Sequence, residues 1–406
     1  MKYRRPFPIA IILSTTILVC QVCSPATGAA SSIKSEIKSD REIVLQQEKK
    51  SSDQDSLRLS ATLVQAPAIV TDKQGKFITD LVKGDFSIFE DGKRQEIASF
   101  ASIQQPFNVV LVLDTSNSAE ERLKAIQETA IRFVKRMQKD DRAMVISFDN
   151  EVRQLTDFTS DSAELESSIR RTESGFGKLF YEAIAKALDS LKSVEGRRAV
   201  IIFSDGIDMK SIEASFEGTI KQAEETGAAV YAIMFDTRWW IEATARKLKA
   251  EHPDKPQISI DGRIPLPPDM GGPDGTSKEF PHPKMPRIEV GSPSGPPLTF
   301  PDSMSSRQPN VPADEITQNL DKMYGEADQY LKSISAKTGG RFFKAEDFAD
   351  SRAAFDAITD ELRNQYLIGY YTTRRHDSKY HKIKVETSRK NVLIRSRQGY
   401  RDSSEK

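Results

Sequence analysis

Cysteine and histidine are scarce, with two Cys and four His among 406 residues. Cys20 and Cys23 stand near the N-terminus without a metal-ligand pattern around them, and His252, His282, His376 and His381 are scattered. That scarcity argues against a zinc enzyme, a thiol enzyme and a disulfide scaffold. Charge of one sign is lacking too: Lys plus Arg and Asp plus Glu both number 59, so no global basic field recruits nucleic acid. Three catalytic or nucleotide-binding signatures are missing: G-x-S-x-G, G-x-x-x-x-G-K-[ST], and G-x-G-x-x-G after the first buried strand. What is present is 38% hydrophobic and 29% charged residues, enough for a packed core under a solvated surface, in a length that suits two or three domains.

The N-terminus reads as an export signal over residues 1–30. Lys2, Arg4 and Arg5 precede a short apolar run from Pro8 to Val19, and Ala26, Gly28, Ala29 and Ala30 offer a cleavage site. The apolar run falls short of the roughly 20 residues that a membrane span needs, so membrane attachment is expected only through an uncleaved signal. Cleavage near Ala30 removes both Cys, which suits an oxidising compartment, secreted or periplasmic, and leaves the remainder three charges negative. Residues 31–55 are polar and aperiodic, the composition of a disordered spacer.

Residues 56–104 read as strands. Leu57, Leu59, Ala61 and Leu63 alternate with polar residues, Asp72-Lys73-Gln74-Gly75 is a turn, and Asp91-Gly92 between apolar runs signals a hairpin. From Phe107 strands and helices alternate. Phe107 to Leu113, Ala143 to Phe148, Ala199 to Phe203 and Ala228 to Phe235 are apolar runs expected of strands buried on both faces of a parallel sheet. Helical spacing over 123–137, 179–192 and 213–226 separates them, so residues 105–365 predict a doubly wound α/β domain. Fifteen of the 20 prolines fall between 253 and 312, outlining a flexible insertion at about 240–312. Trp239 and Trp240 open it, either as a partner anchor or as the start of a helix packed on the domain. Helical periodicity returns at 313–336 and near 349–363, and residues 366–402 revert to strands.

Chemistry concentrates at two strand ends. The first buried strand ends in Asp114-Thr115-Ser116-Asn117-Ser118, and the Ala199–Phe203 run ends in Ser204-Asp205-Gly206. Ligands of open α/β sheets bind at the carboxyl ends of strands, so both loops should lie on one edge. Carboxylates and hydroxyls without nitrogen or sulfur donors suit a hard divalent cation. The plainer readings are a capping box, Ser118 with Glu121, and an ordinary Asp-Gly turn.

These loops resemble the metal-ion-dependent adhesion site of von Willebrand factor type A domains. The flanks resemble, more narrowly, an exported and especially acidobacterial family related to that domain. Its marks are Val70-Thr71-Asp72, the hairpin Phe89 to Lys93, Thr338-Gly339-Gly340, and the tail Tyr366 to Tyr371 through Arg397-Gln398-Gly399-Tyr400. The resemblance implies that Asp114, Ser116, Ser118 and Asp205 hold Mg²⁺, with Mn²⁺ or Ca²⁺ as alternatives, and that an open coordination position takes an acidic residue from a protein partner. The fifth ligand of the family is usually a Thr, but Lys178 stands at the matching position. Lys178 either places its ammonium between Asp114 and Asp205 in place of the metal, or points to solvent while Thr172 or Ser174 supplies the hydroxyl.

The fold expected is therefore α/β, with a doubly wound, mostly parallel sheet, and with a β-sandwich-like, Ig-like domain formed by the N- and C-terminal flanks. The function expected is a non-enzymatic adhesion or scaffold module with no small-molecule substrate. The competing readings are a structural pseudo-site domain that binds through its β domain or insertion, and a Mg²⁺-dependent phosphohydrolase using Asp114. The last lacks a second acid two residues on, where Ser116 stands, and lacks a His base nearby.

Overall fold

Long apolar runs without alternation need cover on both faces, and the computed structural model gives them that cover. It describes residues 62–103, 105–251, 315–372 and 378–402; the expected signal and spacer, the stretch from Leu57 to Ala61, and the proline-rich stretch from 252 to 314 lie outside the described residues. The central sheet has six strands: β5 (Phe107–Asp114), β6 (Arg142–Phe148), β7 (Val152–Gln154), β8 (Arg197–Ser204), β9 (Ala229–Phe235) and β10 (Phe342–Ala345), in the order β10-β9-β8-β5-β6-β7. All pairings are parallel except β6 with β7. Helices α1 (Glu120–Lys135), α2 (Ser162–Arg170) and α7 (Phe348–Arg363) cover one face; α3 (Phe180–Ser190), α4 (Phe216–Thr226), α5 (Arg238–Glu251) and α6 (Glu315–Thr338) cover the other. Every position from Val109 to Leu113 is buried, with Val110 and Val112 feeding one core and Val109, Leu111 and Leu113 the other.

The flanking segments build two four-stranded antiparallel sheets. One is ordered β13 (Val392–Ser396), β1 (Leu63–Asp72), β11 (Gln365–Tyr371), β4 (Ser99–Ala101); the other β14 (Gly399–Arg401), β12 (Tyr380–Thr387), β2 (Phe86–Glu90), β3 (Lys93–Gln95). They share a core that includes Val64, Ala66, Ile88, Tyr366, Ile368 and Ile383, so the fold is a doubly wound α/β unit with a β-sandwich-like unit made from both flanks. The α/β unit is entered after β4 and left into β11, and those two strands are paired neighbours (Leu367 opposite Ala101). Inserting a domain between adjacent strands leaves the host sheet intact.

The structure differs from the sequence reading at a few elements. Helix α5 continues to Glu251, so the stretch from 240 to 251 is helix rather than insertion, with Ile241 and Ala245 fully buried, and Trp239 stands at the start of a helix packed on the domain. Helix α2 and strand β7 are absent from the sequence reading, although Asp161 caps α2 and Leu165 and Ile169 stand at helical spacing; β7 is three residues long with one apolar residue. Strand β1 starts at Leu63 among the described residues, and it buries Val64 and Ala66 through Val70 instead of alternating strictly.

Two buried arginines tie the units together. Arg197 donates to the carbonyls of Ser102 (2.5 Å), Gln105 (3.3 Å) and Leu362 (3.3 Å), gripping both crossovers at once. Arg397 donates to the carbonyls of Glu224 (2.6 Å), Gln65 (3.2 Å) and Gly399 (2.8 Å). Desolvation pushes each guanidinium down to about 10, so both stay charged at neutral pH. Thr338-Gly339-Gly340 meets the tail here: Arg395 donates to the carbonyls of Gly339 and Gly340, and a Cβ on Gly339 (φ +80°) would lie 2.6 Å from the Arg397 nitrogen. Because three buried carbonyls would lose their donor, Arg397→Met should lower stability by about 2–5 kcal/mol in guanidinium denaturation; a change below about 0.5 kcal/mol, the size expected of a surface substitution, would refute this role.

Candidate functional site

β5 lies between β8 and β6, so the strand order reverses beside it, the position at whose carboxyl end open α/β sheets bind their ligands. Asp114 ends β5 and Asp205 follows β8. Thr237 lies two residues beyond β9, and the segment between α2 and α3 crosses the same edge. That segment is pinned by backbone hydrogen bonds: Gly175 N–H to Thr115 O (2.9 Å), Leu179 N–H to Asp149 O (2.8 Å), and Met209 and Lys210 N–H to Lys178 O (both 3.1 Å). Gly175 must be glycine for this approach, since a Cβ would fall 2.1 Å from Asp149 Oδ2. Gly206, at φ +77°, turns the chain away from Asp205.

The structure brings Asp114, Ser116, Asp205 and Lys178 into one buried cluster, at 0%, 0%, 0% and 1% exposure, with Ser118 at its margin. Lys178 Nζ donates to Asp205 Oδ2 at 2.5 Å and to Asp114 Oδ2 at 3.4 Å. All four carboxylate oxygens are engaged. Asp114 Oδ1 accepts from the Ser116 amide (3.0 Å) and Oγ (2.5 Å), and its Oδ2 accepts from Ser204 Oγ (2.7 Å). Asp205 Oδ1 accepts from the Ile207 amide (3.1 Å), and its Oδ2 accepts from Thr237 Oγ1 (2.5 Å). Thr237 in turn lies 2.7 Å from the Tyr324 hydroxyl on α6. Ser118 Oγ contacts Ser116 Oγ at 3.2 Å, and the residue at the N-cap of α1 is Ala119 rather than Ser118.

The charges balance to minus one, two carboxylates against one ammonium. Burial by itself pushes the Lys178 ammonium down, but the charges of Asp114 and Asp205 outweigh it and the net shift is upward. Asp205 moves upward as well, through burial first and then the Asp114 charge, with Lys178 offsetting only part. Both directions follow from one cation shared by two anions: the ammonium is over-compensated and one carboxylate is under-compensated.

This donor set is divided in its fit to a metal. Two carboxylates and the Ser116 and Ser118 hydroxyls suit a hard cation, and Ser174 Oγ is buried with no hydrogen-bond partner among the described residues. Lys178 nevertheless occupies the space between the carboxylates that an ion must share. A dication about 4 Å from an ammonium is opposed by about 8 kcal/mol at an effective dielectric of about 20. With Lys178 in place the residues do not fit a divalent ion. Of the two readings of Lys178, the inward one holds, and the solvent-facing one is overturned by its burial. Thr172 is also engaged elsewhere, its hydroxyl donating to Ile169 O (2.8 Å) and accepting from Gln127 Nε2 (3.0 Å).

Sequence reasoning missed Thr237 and Tyr324. Thr237 had a signal, its place just past a buried strand on the same edge; Tyr324 had none, because only the docking of α6 brings it in. Among the described residues a second cluster, Glu90, Asp91 and His381, lies in the β unit, with His381 Nδ1 2.9 Å from Asp91 Oδ2.

Replacing Lys178 by Met leaves two buried carboxylates uncompensated and should cost about 3–5 kcal/mol at neutral pH. A carboxyl whose folded-state value lies above its unfolded value binds its proton more tightly when folded, as Asp205 does, so acidification favours the folded form. The deficit of the variant against the parent should therefore narrow as the pH falls toward about 5, measured by urea denaturation across pH. A deficit that does not change with pH would count against this account.

No curated protein matches the chain. Among solved structures, it is similar to an aerotolerance-related membrane protein from Bacteroides fragilis (16% identity, TM-score 0.35, covering 63% of this chain and 98% of that one). It is also similar to BatB from Bacteroides thetaiotaomicron (18%, 0.35, 63% and 97%) and to the vWF domain of the type V pili tip protein Mfa5 from Porphyromonas gingivalis (19%, 0.33, 64% and 95%). Residues 109–207, the stretch from β5 past Asp205, match the family model for the von Willebrand factor type A domain. The chain thus carries a von Willebrand factor type A domain over residues 109–207, a class of domain that generally mediates protein–protein interactions.

Proposed function

We propose that the chain is an exported, non-enzymatic binding module that meets a protein partner over the carboxyl edge of its central sheet, through the loop following Asp205. The observation that carries this reading is Ile212, 88% exposed on a loop whose backbone is held in place by side-chain acceptors. Glu182 Oε1, in the first turn of α3, accepts from the amides of Ile212 (2.7 Å) and Glu213 (3.2 Å), and Asp208 accepts from the amide and hydroxyl of Ser211. An apolar side chain on a pre-organised backbone loses little entropy on binding, which is the economy of a recognition loop.

A partner's acidic group finds no metal-like charge offered by Lys178 at this edge, since that ammonium turns inward to Asp114 and Asp205; contact through Ile212 and its neighbours fits the geometry better than ligation of a metal. A phosphohydrolase reading is disfavoured by the same burial: Asp114 is fully enclosed and both its oxygens already accept hydrogen bonds. The other surviving reading places binding on the β unit, where Leu393 is 60% exposed on β13.

A photo-cross-linking residue placed at 212 in the full chain, expressed in a bacterium that exports it, should give a discrete protein adduct, and the mature product should begin near Ser31. Adducts from position 393 but none from 212 would transfer the binding site to the β unit. Retention of the product in the cytoplasm would remove the exported part of the proposal.

A further inference from the structure

We infer that Lys178 is a built-in cation: its ammonium has taken the position of a divalent ion between Asp114 and Asp205, so the site is permanently charged without metal and returns to metal binding when that one side chain is removed. Three observations carry this. First, the ammonium is buried and is paired with the two carboxylates that an ion would share. Second, further oxygen donors stand beside it: Ser116 Oγ is hydrogen-bonded to Asp114 and lies 3.2 Å from Ser118 Oγ. Third, the peptide unit that follows Lys178 is anchored at both its polar atoms, its carbonyl accepting from the amides of Met209 and Lys210 and its N–H (Leu179) donating to the Asp149 carbonyl, so the side chain enters from a fixed point.

The exchange of ion for ammonium alters what the site does. A dication neutralises two carboxylates and keeps positions for outside ligands; an ammonium supplies three hydrogens and one charge, and leaves the cluster one charge negative. The site then stabilises the loops after β5, β8 and β9 continuously, with no dependence on free metal concentration and no chelation of a partner. The consequence for recognition, that partner binding ignores chelators, rests on the reading that this edge is the binding surface. The metal chemistry of the purified chain does not.

The test uses Mn²⁺ and Mg²⁺ on the full purified chain, by isothermal calorimetry and thermal unfolding, with the parent, Lys178→Thr and Lys178→Met. The parent should show no binding heat at millimolar Mn²⁺ and a melting temperature unmoved by metal or chelator. Both variants should melt lower and be restored by Mn²⁺, with affinity raised on the order of 100-fold or more over the parent, as relief of a like-charge repulsion of this size allows. Parent binding as tight as that of Lys178→Thr would overturn the inference, as would folded variants indifferent to both metals. If neither variant folds, the ¹⁵N-labelled ammonium of Lys178 in the parent decides: an Nζ resonance that Mn²⁺ leaves sharp supports the built-in cation, and one broadened by bound Mn²⁺ rejects it. Loss of the adduct from position 212 on adding chelator refutes metal independence, whereas no adduct under any condition refutes only the binding surface.

Discussion

One ammonium held between two buried carboxylates is the constraint on which the carboxyl edge of the central sheet depends. The carboxyl ends of three parallel strands and the crossover before α3 meet there, and each delivers a polar group into space that water does not reach. Asp114 and Asp205 repel each other in that space, and the neutral donors around them (Ser116, Ser204, Thr237, the Ile207 amide) orient them without cancelling their charge. Lys178 supplies the cancelling charge from a backbone fixed by its neighbours. Such a cluster contributes little net stability against an apolar alternative but imposes one arrangement on the loops, because any displacement strands a charge.

The second organising feature is the junction of the two units. Inserting the α/β unit between the adjacent strands β4 and β11 keeps the host sheet continuous, and buried guanidinium groups close the seam with carbonyls from both sides. Glu224, in α4, shows the same logic: its carbonyl accepts from Arg397 while its carboxylate meets Lys337 and Arg401. The carboxyl edge and this junction lie at the two ends of the same parallel strands, since Arg197 opens β8 and Asp205 follows its far end.

Much of the fold was legible in the sequence for a simple reason. Strands such as Phe107–Asp114 and Ala229–Phe235 are apolar at nearly every position, which only a sheet covered on both faces accommodates, and the intervening helices carry 3.6-residue spacing. The pairing of the flanks was legible from their size, since neither strand group buries enough surface alone. The short α2 and β7 went unread because each is brief: β7 is three residues with none buried, and α2 offers only its Asp161 cap and the Leu165–Ile169 pair. The candidate site was half legible. Asp114, Ser116, Ser118, Asp205 and Lys178 stood out through position and resemblance, whereas Thr237 needed the sheet order and Tyr324 needed the packing of α6.

The chain by itself determined the strand and helix alternation, the carboxyl-edge placement of its acidic and hydroxyl residues, and the presence of a lysine where an oxygen ligand was expected. Composition and spacing carry those facts because they are local or periodic. The direction in which Lys178 points was decided only by tertiary structure. A lysine side chain is long enough to reach solvent or to fold inward, and the choice depends on whether two carboxylates 91 residues apart in sequence converge on it, as Asp114 and Asp205 do.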